Sequence, residues 1–201
     1  MTDFDRWLSF AVGDLETITD ADVRNGLAGE EGGWNQNDPQ TDPPGQNPTF
    51  RGIEFNEWRH WHSSPTWTQA QFRTLLTRTE IGQIALAQYW EPFHVNLLPA
   101  GATILYQDGV WVGGGVENLQ MAMNGLLGAG LTIDNELGPA TLAAMQRLAA
   151  IPAQQIIASY TLAAQARYRA LGRPEDLAGW LGRLGRCKAL ATSLLEQNTQ
   201  T

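Results

Sequence analysis

The chain has 201 residues, of which 43% are hydrophobic and 17% charged, with 13 Lys and Arg against 21 Asp and Glu. This composition supports a hydrophobic core and excludes wholesale disorder, and a formal net charge of −8 excludes a sequence-independent grip on nucleic acid or simple electrostatic adsorption to anionic lipid. The single cysteine, Cys187, excludes an internal disulfide and a cysteine-based zinc site.

The first residues, MTDFDRWLSFAVGD, carry acids ahead of their apolar side chains and lack the basic region of a secretory signal. No apolar run is long enough to span a bilayer. Phe4, Trp7, Leu8, Ala11, Val12 and Leu15 share one helical stripe, which predicts a helix over 3–16. Thr19 to Asp22 reads as a fresh N-cap for a short second helix bearing Val23 and Leu27 as far as Glu30 or Glu31, where Gly32-Gly33 stops it. From Gly33 to Gly52 the chain holds four prolines and almost no aliphatic side chains, which predicts a turn-rich loop or small hairpin. Loops of that length are often functional.

An aromatic segment follows with Phe55, Trp58, Trp61 and Trp67. Thr68 to Gln71 matches a capping box ahead of Phe72, Leu75 and Leu76. Thr79-Glu80 begins the next helix, with Ile81, Ile84, Ala85, Gln88 and Tyr89 setting its period and Pro92 its end. Strand-like alternation is confined to 102–112. Val116, Leu119, Met123, Leu126 and Leu127 mark a helix broken at Gly128, and Gly138-Pro139 opens another, with Pro where its missing N–H costs nothing. Pro152 opens a long helix closed by Gly172. Trp180, Leu184, Cys187, Ala191 and Leu194 stripe the last one, with a polar tail from Glu196. The fold is expected to be mainly α, without internal repeats.

Glu30-Glu31-Gly32-Gly33-Trp34 is the sharpest local feature. Glycine lets backbone approach a ligand closely, and burial against Trp34 would raise a Glu pKa towards that of a general acid. From spacing alone, both acids also read as solvated residues before a C-cap glycine. Asp38 and Asp42 offer a second carboxylate or serve as turn formers. Thr49 and Arg51 lie on the loop exit. His60 and His62, at i and i+2, do not share a face, and no third ligand is evident, so no metal site is read here. Ser63, Ser64 and Cys187 lack the partners of a nucleophilic triad, and Gly113-Gly114-Gly115 lacks the pattern of a phosphate-binding turn.

In order, Glu31-Gly32-Gly33-Trp34, Asn37-Asp38-Pro39, Asp42-Pro43-Pro44-Gly45 and Thr49-Phe50-Arg51-Gly52-Ile53 resemble the EGGY…NDP…DPGG…TNxGI signature of glycoside hydrolase family 108. Gln88-Tyr89-Trp90 is similar to that family's helix ending in YW. Asp108, Gly114, Leu119-Gln120, Asp134 and Gly138-Pro139-Ala140-Thr141-Leu142 resemble its C-terminal peptidoglycan-binding region, and Gly179-Trp180 with Arg183 its closing GW..R. Phe50 stands where the family usually has Asn, Val112 where Asn is common and Asn135 where it has Gly. A stretch over 17–30 separates the first helix from the EGG motif.

The resemblance implies an N-acetylmuramidase of phage or prophage endolysin type, with a mainly helical, lysozyme-like fold and a small loop or hairpin near the catalytic Glu. It implies a catalytic lobe over 1–95 and a helical, peptidoglycan-binding-like lobe over 96–201. Glu31 would be the general acid acting on the muramic acid–glucosamine bond. Asp38 or Asp42 would be a second carboxylate, or Thr49 would orient a water. Trp34, Trp58 and Trp61 would stack on sugars, with Asp42 and Arg51 as further binding residues. The implied partner is the peptidoglycan strand, without cofactor, nucleic acid or membrane insertion. The protein would be made in the cytoplasm and would reach the wall through a holin or a secretion machine. A lytic transglycosylase, or an inactive wall-binding or structural phage protein, are the alternative readings.

Overall fold

The computed structural model describes residues 1–13, 34–35 and 47–198. The expected second helix, Glu31, Asp38 and Asp42 lie outside the described residues. Among those described, nine α-helices and one small antiparallel sheet of three strands form a mainly α, lysozyme-like fold. The contacts divide it into two compact units, Leu8–Ala87 and Met1–Trp7 with Gln88–Thr201. The grouping of Met1–Trp7 with the C-terminal part is not legible in local sequence.

Helix α1 (Asp3–Val12) begins in a reciprocal cap. The Thr2 hydroxyl accepts from the Asp5 N–H at 3.1 Å, and the Asp5 carboxylate accepts from the Thr2 N–H at 2.9 Å. It ends at Val12, short of the predicted residue 16, because Gly13 turns left-handed at φ 73° and donates its N–H to Ser9.

In the Leu8–Ala87 unit the strands are β1 (Trp34–Asn35), β2 (Thr49–Phe50) and β3 (Ile53–Glu54). Helices α2 (Phe55–Trp61), α3 (Gln69–Leu75) and α4 (Arg78–Ala85) follow. The capping box at Thr68 and Gln71 is present. Helix α4 starts at Arg78, one residue before the predicted start, because the Thr77 hydroxyl accepts from the Glu80 N–H and so acts as the N-cap. Phe50, Ile53, Phe55, Trp58, Phe72, Ile81 and Ile84 make the core. Phe72 lies 5.1 Å from Trp58, 5.7 Å from Phe55 and 6.0 Å from Phe50, ring centre to ring centre. Helix α4 runs on as a π turn, Leu86–Trp90, before Pro92.

In the other unit, α5 (Ala102–Trp111) corrects the strand-like reading of 102–112. Every residue from Ala102 to Val110 is buried, because α6 (Gly115–Leu127), α8 (Ala153–Ala170) and α9 (Pro174–Asn198) all pack against this helix. A helix buried on all sides has no solvent-facing stripe to show its 3.6 period, so a short, largely apolar run does not separate it from a buried strand. Asp3 caps its start, accepting from the Thr103 hydroxyl at 2.6 Å and the Gly101 N–H at 3.2 Å. Helix α7 (Pro139–Arg147) carries Pro in its first turn, as predicted.

Gly113-Gly114-Gly115 serves packing. A Cβ on Gly115 would overlap the backbone of Gly109 and Val110, and one on Gly114 would overlap the Arg167 guanidinium. Among the described residues no helix is long and apolar enough to cross a membrane.

Candidate functional site

The sheet sorts its residues by face. Asn35 pairs with Thr49, and Thr49 with Glu54, so these three polar residues form one row across the strands. Trp34, Phe50 and Ile53 form the alternate row, which enters the core. The β2–β3 connection has only two residues, Arg51 at φ 53° and Gly52 at φ 82°. Two successive left-handed residues give the turn twist that suits a tight hairpin. This turn places Thr49 opposite Glu54.

Asn47, only 4% exposed, holds the base of the hairpin. Its side-chain amide donates to the Glu54 carboxylate at 2.7 Å, and its carbonyl oxygen accepts from the Asn56 backbone N–H at 2.7 Å. Glu54 itself makes no side-chain cap to α2, so Asn47 satisfies that helix's open N–H from outside. The Phe55 N–H reaches the Pro48 carbonyl at 2.9 Å. One buried amide thus fixes both an exposed carboxylate and the start of α2.

Beyond the sheet, His62 and Glu80 pair through Nε2 and a carboxylate oxygen, which ties the end of α2 to the first turn of α4. The His62 ring lies 4.5 Å from Trp67 and 5.2 Å from Trp58. Next to it, Asn56, Arg59, His60, Ser63, Ser64 and Pro65 line an open recess of about 490 Å³. Among the described residues no group of three or more His, Cys, Asp or Glu is placed to hold a metal ion.

The predicted site residues fare differently. Thr49 lies in the polar row. Trp34 is half-buried, 6.0 Å from Phe50 and 6.1 Å from Phe72, with the Arg73 guanidinium 5.6 Å over its ring. Trp58 is fully buried and lies 4.6 Å from Trp67. It is a core residue and presents no face to a sugar, which corrects its assignment as a binding residue. Arg51 is 8% exposed, with its guanidinium 5.1 Å over the Phe50 ring. Trp61 is half-buried at the end of α2. Glu31, Asp38 and Asp42 lie outside the described residues.

Sequence reasoning missed Glu54 and Asn47. A two-residue turn at Arg51-Gly52 would have found Glu54, since such a turn sets residue 49 against residue 54.

In the other unit, the C-terminal motif residues bond to one another. Arg183 grips Asp108 through Nε at 3.1 and 3.2 Å and Nη2 at 2.7 Å. Gln120 donates to Asp134 at 2.7 Å, to the Glu136 carbonyl at 3.1 Å and to the Thr141 hydroxyl at 3.2 Å. Its carbonyl oxygen accepts from the N–H groups of Asp134 and Asn135. The Gln120 amide, followed by the Glu136 N–H, holds the Asp134 carboxyl below its usual range. Burial raises the phenol pKa values of Tyr106, Tyr160 and Tyr168.

Residues 25–114 match the model of the family Glycosyl hydrolase 108. That segment contains Glu31, the whole sheet and the recess. The chain matches no curated protein. It is similar to the solved structure of SagA from Brucella abortus, at 24% identity and a TM-score of 0.60 over 82% of this chain and 88% of that one. At that identity the likeness describes the fold.

Proposed function

We propose that this chain is a peptidoglycan hydrolase of the N-acetylmuramidase type, cleaving the bond from muramic acid to glucosamine. The observation that carries this reading is the match of residues 25–114 to a glycoside hydrolase family, over the segment holding Glu31-Gly32-Gly33-Trp34 and the Asn35–Thr49–Glu54 row. Glu31 stands three residues before β1 in the chain and is the general acid. It gives its proton to the glycosidic oxygen, because an alkoxide is a poor leaving group and the sugar ring gains oxocarbenium character as the bond breaks.

The polar row supplies the other half of the reaction. A water held by the Thr49 hydroxyl and deprotonated by Glu54 attacks the anomeric carbon, and the water's oxygen forms the new bond. The Asn47 amide keeps Glu54 in place for this. Asp38 is the competing second carboxylate. Trp61 offers a ring face to the glycan.

Turbidity of purified sacculi tests the reading: the wild type is expected to clear them and Glu31→Gln to leave them intact. Released muropeptides are expected to carry reducing muramic acid ends. Products lighter by one water would instead identify a lytic transglycosylase. If wild type and Glu31→Gln both pellet with sacculi and neither clears them, the chain is a wall-binding protein.

A further inference from the structure

We infer that the recess beside the end of α2 is a carboxylate-binding subsite that takes the peptide stem of the cell-wall polymer. The carboxylate chemistry rests on the recess itself, and the peptide stem as its source rests on the hydrolase reading above.

The lining contains no acid: it is made by Asn56, Arg59, His60, Ser63, Ser64 and Pro65. This is unusual for a chain whose net charge is −8. The Arg59 guanidinium lies 5.1 Å over the Phe55 ring, which fixes its plane. Its Nε is buried without a hydrogen-bond partner among the described residues. Arg59 also lines the recess, and a carboxylate that enters it meets the outer nitrogens of a guanidinium, the partner such a fork prefers.

The wall of the recess is equally specific. Ser63 sits left-handed at φ 51°, a conformation unfavourable for serine. It is held by its N–H to the His60 carbonyl at 2.9 Å, while the Ser64 N–H reaches the Arg59 carbonyl at 2.9 Å. These bonds wrap the chain around the Arg59 and His60 end of the helix.

The recess also belongs to the same small unit as the polar row. Asn56 lines it, and the Asn56 N–H is bonded to Asn47, whose amide holds Glu54. In a glycan strand the nearest carboxylates to a muramic acid are those of its own peptide. A substrate lying along the Asn35–Thr49–Glu54 row brings such a carboxylate to the unit that holds Arg59.

The test uses the full chain and muramyl dipeptide, which carries a single free carboxylate, beside its carboxamide analogue and inorganic phosphate. Binding is followed by calorimetry and by the Arg59 Nε resonance. The dipeptide is expected to bind at least tenfold more tightly than the carboxamide and to shift that resonance. Arg59→Met is expected to lose this preference, and Arg59→Lys to retain part of it with an unchanged melting curve. On intact sacculi Arg59→Met should raise KM about tenfold. On glycan strands stripped of peptide it should match the wild type. Equal binding of acid and amide, binding unaffected by Arg59→Met, or binding of phosphate alone would each overturn the subsite. A chain that binds the dipeptide through Arg59 but never clears sacculi would keep the subsite and lose the hydrolase reading.

Discussion

Thr49 and Glu54 face each other across the β2–β3 hairpin, a hydroxyl and a carboxylate brought together by a turn of two left-handed residues. Directly opposed residues on neighbouring strands have Cβ atoms about 5 Å apart. That is close enough for both to reach one water. Glu54→Gln keeps the hydrogen-bonding shape and removes the base. It is expected to lower kcat by about 10²–10³-fold with little change in KM, the size of effect typical of a lost general base. Thr49→Val should lower kcat by roughly tenfold to a hundredfold. Steady-state rates on labelled sacculi decide this. If Asp38→Asn abolishes turnover while Glu54→Gln leaves it intact, Asp38 takes that role.

Asp108 is 4% exposed and sits in the grip of Arg183, and both belong to the motif that sequence reading ascribes to wall binding. A buried carboxylate stripped of its partner remains as an uncompensated charge, so Arg183→Met should cost about 3–5 kcal/mol. Replacing both residues by apolar ones, Asp108→Leu with Arg183→Met, should recover much of that loss. Urea denaturation of the two variants measures the difference. Equal stability of Arg183→Met and the wild type would show that the pair contributes nothing.

How much of this was legible depends on the kind of physics involved. Caps are local, and the Thr68–Gln71 box and the proline opening of α7 followed directly from the sequence. Burial on all sides is not local. Helix α5 read as strand-like because three other helices erase its polar face. Trp58 carried the same ambiguity, since an aromatic side chain suits a sugar and a core equally, and only the packing of Phe72 and Trp67 around it decides. Asn135, which departs from the family's glycine, adopts φ 62°, a conformation that Asn tolerates, and its side chain accepts from the Glu117 N–H at 3.0 Å. That exchange is explained by backbone geometry.

Gly109 and Gly115 bring α5 and α6 together at backbone distance, and the Tyr160 hydroxyl fills the space a Gly109 side chain would need. Tyr160 is 2% exposed, so it has little room to move away. A Cβ on Gly115 meets the backbone of Gly109 and Val110, so Gly115→Ala should force the two helices apart and cost about 2–4 kcal/mol, more than an ordinary overpacked methyl. Gly185→Ala, inside α9 and with nothing within 4 Å of its added Cβ, should be neutral or mildly stabilising. Thermal melts of the pair provide the comparison, and similar melting temperatures would refute the close-approach argument.

Asp134 gives the protein an acid-sensitive clasp. The Gln120 amide and the Glu136 N–H favour its ionised form and lower its pKa in the folded state. A carboxyl whose pKa is depressed by folding stabilises the fold at pH values above its unfolded value, near 3.9. That contribution disappears as pH falls through the folded value, because the proton must then be taken up by both states. Asp134→Asn removes the titration and leaves an acceptor of similar shape. The variant is expected to be less stable than the wild type at pH 7 and to converge with it as the pH falls below the folded-state value of Asp134. Urea midpoints measured from pH 2.5 to pH 7 trace the two curves. Curves that stay parallel throughout would mean that Asp134 carries no linkage, and that the loop is held by the backbone bonds to Gln120 alone.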